Sequence, residues 1–238
     1  MRSQNRPTQL LCIQTLTSAA LLLLLALAAT PGTATAYTGA LSSTDFAILG
    51  TGNWIAGGPT TLSWAVTQNA DDSWHYAYSF SHPKGETSHF ILETSTSFTA
   101  ANLSNSSGQF GSIEVGWHNV GSGNPGMPEA LYGIKFDGAR GQTTALAFDS
   151  YRVPVWGDFY SKNGRAGGHG QNAAWNAGFT LGDYDPAGPP QDGSLEYHLL
   201  VPDTAGSNTP EVPEPATWIL MGSALAGSWV LQRRRRRR

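Results

Sequence analysis

Short segments that alternate apolar and polar residues dominate the middle of the chain and constrain its fold more than any other feature. Glycine, Asn-Gly, Asp-Gly and proline separate these segments. The body contains no amphipathic helical window longer than about two turns. Ten strands are predicted: Asp45–Leu49, Thr60–Gln68, Trp74–Ser81, His89–Thr94, Gly111–Asn119, Leu131–Phe136, Thr143–Asp149, Trp156–Lys162, Trp175–Leu181 and Leu195–Val201.

Strands of this number, length and spacing predict an all-β fold, a single antiparallel β-sandwich or jelly roll. No fixed repeat of roughly 20–50 residues is present, which disfavours a β-helix. The alternation also predicts which faces are buried. Ile134 and Phe136 share a face opposite Lys135, and Leu146 and Phe148 share a face in a later strand. We expect one domain over residues 37–202, followed by a linker over residues 203–211.

Charge is distributed unevenly along the chain. Of the 14 basic residues, eight lie at the two extreme ends, so residues 37–214 hold six basic and 17 acidic residues, a formal charge of −11. A body this acidic has no basic stripe that could neutralise phosphates. The composition therefore excludes nucleic acid as a partner of the body.

The N-terminal 36 residues have the three parts of a secretory signal peptide. Two arginines precede an apolar stretch over residues 10–29, and Ala34 and Ala36 form a small-x-small site. We expect signal peptidase to cut before Tyr37, and an uncut membrane anchor is the alternative. Cys12 is the sole cysteine and leaves with the signal, so disulfides and thiolate metal sites are not expected in the mature protein.

The C-terminus combines a proline-bracketed glutamate, a short apolar stretch and a basic end. Pro213, Glu214 and Pro215 precede the apolar residues 217–231. As a helix this stretch is about 23 Å long, shorter than the roughly 30 Å hydrocarbon core of a bilayer. The basic end should stay cytoplasmic, which fixes the orientation of a transient membrane insertion. This end consists of six arginines: Arg233, Arg234, Arg235, Arg236, Arg237 and Arg238.

This order of parts resembles the PEP-CTERM sorting signal of exported bacterial proteins over residues 212–238. The resemblance implies a Gram-negative host and an exosortase, a membrane transpeptidase that recognises the Pro-Glu-Pro site. It also implies that the tail is removed on the way to the cell surface or the extracellular matrix. An ordinary tail anchor and a disordered nucleic-acid-binding terminus are the alternatives.

One block in the body, residues 153–162, contains Pro-Val-Trp-Gly-Asp-Phe-Tyr and resembles a segment of many PEP-CTERM exported proteins. Pro154 predicts that its strand lies at an edge or contains a bulge. One hypothesis is an edge hairpin with Asp158 and Lys162 in solvent.

The other hypothesis for the block is a carbohydrate groove. Trp156 and Tyr160 lie four residues apart on one strand and would share a face, with Asp158 between them as a hydrogen-bond acceptor and Trp175 as a further contact. The body has six tryptophans, at positions 54, 64, 74, 117, 156 and 175. Most of them are expected in the core.

The body contains no recognisable catalytic motif. A glycoside hydrolase needs two carboxylates across a cleft, and no pattern singles out such a pair. His75, His82 and His89 recur every seven residues, but this spacing would alternate faces of a strand, so no metal site is expected. Two acidic loops, around residues 71–72 and 183–185, could contribute to a calcium site, but neither fits the EF-hand pattern, so solvated surface loops without a cofactor are the preferred interpretation.

The sequence therefore predicts an exported surface or matrix protein without enzymatic activity, associated with the exopolysaccharide of a biofilm. The expected partners are signal peptidase, an exosortase-type transpeptidase and exopolysaccharide. A carbohydrate-binding module and a polysaccharide hydrolase with an unrecognised carboxylate pair are the alternatives.

Overall fold

A computed structural model describes residues 36–164, 171–181 and 191–202, all of which belong to one compact unit. These residues form thirteen strands and one four-residue helix. The strands are β1 Ala36–Ser42, β2 Ile48–Thr51, β3 Thr61–Gln68, β4 Trp74–Ser81, β5 Thr87–Glu93, β6 Ser104–Gly108, β7 Ser112–His118, β8 Leu131–Asp137, β9 Thr143–Ser150, β10 Pro154–Gly157, β11 Phe159–Asn163, β12 Ala173–Asn176 and β13 Leu199–Pro202. The helix, α1, is Asn53–Ala56, and 3-10 turns cover Ser43–Asp45 and Ala100–Asn102.

The strands form two large antiparallel sheets and one small one. The first sheet has the order β1-β3-β4-β9-β6, and the second has the order β2-β12-β11-β5-β8-β7. The third is the pair β10-β13, whose residues belong to the same hydrophobic core as those of both large sheets. The expected antiparallel, sandwich-like all-β fold is confirmed.

Aromatic side chains fill the space between the two large sheets. In β4, Trp74, Tyr76, Tyr78 and Phe80 are buried and alternate with partly exposed residues, as period-two alternation requires. Rings of the two sheets meet directly: the Phe80 and Phe90 centroids are 5.7 Å apart, and Phe136 and Phe148 are 5.9 Å apart. Large rings at this spacing supply most of the apolar area that the core buries.

The block over residues 153–162 departs from the prediction of one continuous edge strand. The strand is interrupted at Asp158, which separates β10 from β11, and these two strands belong to different sheets. Strand β11 lies between β12 and β5, in the interior of its sheet rather than at an edge. Strand β10 is half of a two-stranded sheet, a position that tolerates Pro154.

Other boundaries differ because local polar contacts end the strands. The segment predicted from Asp45 begins as a 3-10 turn, and Phe46 then adopts a left-handed conformation with φ of 59°, so β2 starts at Ile48. The segment predicted from Trp175 turns after Asn176, whose carbonyl accepts the Phe179 N–H. Strands β1 and β6 were not predicted.

Candidate functional site

Asp158 lies at the break between β10 and β11 and is almost fully buried, with 4% of its surface exposed. Its Oδ1 lies 2.9 Å from Nδ1 of His198 and also accepts a hydrogen bond from the Asn176 side chain. His198 has no exposed surface. The expectation that Asp158 faces solvent is therefore wrong, because two buried donors hold its carboxylate inside the domain.

The same polar cluster ties the small sheet to the larger one. The Asp158 N–H donates to Oε2 of Glu93 at 3.0 Å, and its carbonyl accepts the Glu93 N–H. Oδ1 of Asn176 accepts the Phe159 N–H at 2.9 Å. An Asp-His pair can orient a general base, but here burial keeps substrate from both side chains. The cluster is a structural junction between β5, β11, β12 and β13.

His198 anchors a strained turn at the surface. Leu195 and His198 form an isolated antiparallel bridge, and the two residues between them, Glu196 and Tyr197, have φ of 46° and 70°. Two successive left-handed residues are the geometry of a type I′ turn, which normally uses Asn-Gly. Each non-glycine residue held there costs about 1–3 kcal/mol. Ser194 Oγ stabilises the turn by donating to the His198 carbonyl at 2.6 Å.

This turn forms one wall of a cleft of about 540 Å³. The floor and walls combine apolar side chains with a carboxylate, a hydroxyl and an aromatic ring. Tyr197 and Leu181 are 46% and 56% exposed, although both are large apolar side chains. The lining residues are Ala40, Leu41, Ala47, Leu181, Ser194, Glu196 and Tyr197. A ring beside an apolar floor and polar oxygens suits an amphipathic ligand.

Backbone packing beneath the turn is tight. A Cβ added to Gly178 would lie 2.6 Å from the Glu196 carbonyl and 2.9 Å from Nε2 of His198. Glycine is therefore required where the chain after β12 passes under the turn. The sequence signal for the cleft was weak, because Glu196 and Tyr197 carry no turn signature and were assigned to a strand.

The predicted glycan-contact residues do not form a surface. Trp156 and Tyr160 are 6% and 0% exposed, so the expectation that they face solvent is wrong. Trp156 pairs with Leu200 and packs in the main core, whereas the Tyr160 hydroxyl donates to the Pro125 carbonyl at 2.8 Å in a second cluster. The break at Asp158 places the two rings in different sheets. Trp175, opposite Tyr160, is half-buried against the second cluster.

Most of the tryptophans lie in the core, as expected. Those at positions 54, 64, 74 and 156 are buried. Trp117 is 59% exposed and packs edge-on against Tyr132, with ring centroids 5.6 Å apart.

The three evenly spaced histidines lie in separate environments. His75 Nδ1 is 2.6 Å from Oδ1 of Asp149, and the His82 ring stacks on Trp54 with centroids 4.1 Å apart. Burial lowers the pKa of His82 to about 4, and burial together with two nearby lysines lowers the pKa of His89 to about 3. In the ranges that the structure describes, no three His, Cys, Asp or Glu residues are grouped to hold a metal.

The structure describes one of the two acidic loops that were considered for calcium, the loop at residues 71–72. Oδ1 of Asp71 accepts hydrogen bonds from the N–H and hydroxyl of Ser73, which lower the pKa of this carboxyl. The loop at 183–185 lies outside the described residues.

The predicted processing residues lie at or beyond the ends of the described domain. Ala36 and Tyr37 open β1, opposite Thr67 and Val66, whereas Ala34 lies outside the described residues. Residues 213–215, 217–231 and 233–238 also lie outside them. Across residues 36–164, 171–181 and 191–202, no helix has the length and apolar character needed to cross a membrane.

The described domain is an antiparallel β-sandwich-like body with a buried polar junction and one strained surface turn. Residues 211–237, beyond this body, match the PEP-CTERM protein-sorting motif. The chain thus carries a PEP-CTERM sorting motif, which implies an exported protein targeted to an exosortase. No curated protein and no solved structure matches the chain.

Proposed function

We propose that this protein is a non-enzymatic component of the cell surface or extracellular matrix, associated with exopolysaccharide. In this proposal, signal peptidase removes residues 1–36, and the apolar residues 217–231 insert transiently in the inner membrane until an exosortase cuts near Pro213–Pro215. The observation that carries the proposal is the sorting motif at residues 211–237. The burial of the Asp158–His198 pair supports the non-enzymatic part, because the pair is closed to substrate.

The linker has a length that suits processing of a folded body. Strand β13 ends at Pro202, so ten residues separate it from Pro213. A fully extended chain of ten residues spans at most about 33–36 Å. The sorting site can therefore reach a membrane enzyme while the domain remains folded outside the membrane.

The test is the intact mass of the protein recovered from its own host, measured separately in membrane and extracellular fractions. We expect an extracellular species that starts at Tyr37 and ends between Val212 and Pro215. A Glu214→Ala variant should accumulate in the membrane fraction with its arginines retained. Asp203→Ala, which removes an acidic residue of the linker outside the motif, provides the control. Arginines retained on the wild-type protein at steady state would contradict transient anchoring.

A second candidate function is carbohydrate binding at the cleft beside Glu196 and Tyr197. The strained turn favours it, because an exposed aromatic residue is held in a costly conformation where Asn-Gly would fit without strain. The ligand expected from the lining is a neutral sugar ring, since Glu196 and the acidic body disfavour an anionic polymer.

The turn itself offers a sharp test of this second function. The double variant Glu196→Asn, Tyr197→Gly should raise stability, by about 1–3 kcal/mol for each of the two positions, because it relieves the strain at both. If the cleft binds sugar, the same variant should abolish the retention of the protein on a neutral polysaccharide. Tyr151→Ala removes another exposed tyrosine, which is 66% exposed and lies outside the cleft, and serves as the control. Equal retention of all three proteins would refute the cleft as a sugar site.

A further inference from the structure

Strands β1, β6, β2 and β7 are the edges of the two large sheets, and the first three are protected. The edge of β1 is capped at Thr38, whose N–H donates to Oδ1 of Asp192 and whose carbonyl accepts the Gly193 N–H, both at 2.7 Å. Strand β6 has a register shift between Ser104 and Ser107, and β2 has only four residues. Covers, bulges and short length all keep an edge strand from pairing with another chain.

Strand β7 has none of these protections. Its seven residues pair with β8 in one unbroken register, and they include no proline. Within the described ranges, β8 is the only strand that pairs with β7. Its one acidic residue, Glu114, is partly neutralised, because Nζ of Lys135 lies 3.7 Å from its Oε2. The outer edge of β7 therefore offers backbone donors and acceptors to a further strand.

The side chains of β7 add an apolar row to this edge. Ile113 and Val115 are partly exposed and pack against the main core, so they lie on the core-facing side of the sheet. Trp117 is two residues further along the same side, and its ring is 59% exposed. The row reaches the end of the sheet, where the described residues cover it only in part.

The sequence of β7 is complementary to itself. A two-fold axis at Val115 would pair all seven residues of two antiparallel copies. Val115 then faces the partner's Val115, Ile113 faces the partner's Trp117, and Glu114 faces the partner's Gly116. A β-branched side chain opposite an aromatic ring is a favourable pair, and no like charges are directly opposite. An axis at Glu114 would place two carboxylates opposite each other, and an axis at Gly116 would pair only the five residues 114–118.

We propose that two copies of this chain associate through β7, antiparallel about a two-fold axis at Val115. Their six-stranded sheets then form one sheet of twelve strands. Residues 37–214 hold six basic and 17 acidic residues, and this formal charge of −11 on each copy opposes association. The dimer is therefore weak at low salt and is strengthened when added salt screens the repulsion. This inference goes beyond the proposed function and holds whether or not an exosortase removes the tail.

The experiment places single cysteines on β7 in a Cys12→Ser background, which removes the one native thiol. Directly opposite residues of an antiparallel pair have Cα atoms about 4.5–5.5 Å apart, within the roughly 4.4–6.8 Å that a disulfide spans. Val115→Cys should therefore form a disulfide-linked homodimer under oxidised glutathione, detected by intact mass. Ile113→Cys alone should not, because its two thiols would be about 13 Å apart along the strands. Mixing Ile113→Cys with Trp117→Cys should restore the cross-link.

Two further measurements support the cross-linking. Ser107→Cys places an exposed cysteine on β6, the protected edge, and is the matched control. In sedimentation, added NaCl should raise the dimer fraction of the wild-type protein, whereas Val115→Lys should stay monomeric because it places two lysines opposite each other. If Val115→Cys does not fold, the mixed pair and the wild-type sedimentation are sufficient for the test.

Three results overturn the proposal: wild-type protein that stays monomeric at high salt, Val115→Cys that cross-links no more than Ser107→Cys, or Ile113→Cys that alone cross-links as well as Val115→Cys. A cross-linked species whose mass contains a different protein would assign the β7 edge to another chain and would also overturn pairing with a second copy. None of these results depends on where the ends of the chain are cut, so a failure here is distinguishable from a failure of the proposed function.

Discussion

Replacing Asp158 with alanine tests whether the buried junction holds the small sheet to the larger one. The carboxylate accepts hydrogen bonds from His198 and Asn176, and alanine leaves both buried donors without an acceptor. At about 1–3 kcal/mol per unsatisfied donor, the loss is about 2–6 kcal/mol. That is a large share of the roughly 5–15 kcal/mol that stabilises a typical domain.

The assay is urea unfolding followed by tryptophan fluorescence, since Trp156 lies two residues from the substituted position. With an m-value of about 2 kcal/mol/M, the expected loss lowers the urea midpoint by about 1–3 M. Asp158→Asn keeps an oxygen acceptor and should lose less than Asp158→Ala. Asp45→Ala removes an exposed carboxylate and should change stability by less than about 0.5 kcal/mol.

A midpoint for Asp158→Ala within experimental error of the Asp45→Ala control would refute the reasoning. If Asp158→Ala does not fold, the variant His198→Gln tests the same hydrogen bond from its other side. It removes the imidazole donor that contacts Asp158 and keeps the carboxylate with its Asn176 hydrogen bond, so it should be destabilised by less than Asp158→Ala would be. A larger loss in His198→Gln than in Asp158→Asn would show that the charge of Asp158 is not what the junction requires.

Three further predictions concern stability. Because buried His82 and His89 have folded pKa values of about 4 and 3, below the unfolded value of about 6.5, the unfolded chain binds more protons. Stability should therefore fall as pH drops from about 6.5 towards 4, by up to about 1.4 kcal/mol per pH unit per histidine, and equal urea midpoints at pH 7 and 5 would contradict this. Gly178→Ala should cost about 1–3 kcal/mol in the same assay because its Cβ would meet the carbonyl of the turn above it. Trp156→Ala should cost about 3–5 kcal/mol, whereas Trp117→Ala, which removes an exposed ring, should cost less than about 1 kcal/mol.

The strands that were predicted best are those whose apolar alternation is decided by one buried face. Strand β4 has the predicted bounds, and Ile134, Phe136, Leu146 and Phe148 all point into the core. Each of these side chains is large and apolar, so burial dominates every competing local preference. Pattern alone is sufficient in such segments.

The strands that were missed lack this signal. Strand β6 is Ser-Asn-Ser-Ser-Gly with every residue exposed, and it is held by backbone pairing to β9 rather than by apolar burial. Strand β1 is an edge strand in which Leu41 alone is buried. Pairing that depends on a partner distant in sequence leaves no trace in the local pattern of hydrophobicity.

The block around Asp158 shows why the predicted glycan-contact site was wrong although the block itself is important to the fold. Both hypotheses for this block placed a charged residue in solvent, because an isolated buried carboxylate is very costly. The sequence does not reveal that His198, forty residues later, supplies a buried donor to it. Once that contact forms, the chain changes sheets at Asp158, and Trp156 and Tyr160 can no longer share a face. The exposed aromatic residues then lie elsewhere. One of them, Tyr197, belongs to the strained turn that His198 anchors, so His198 connects the buried junction to that turn. A search for ligands should therefore begin at that turn, and variants of the Trp156 block should be read as tests of stability.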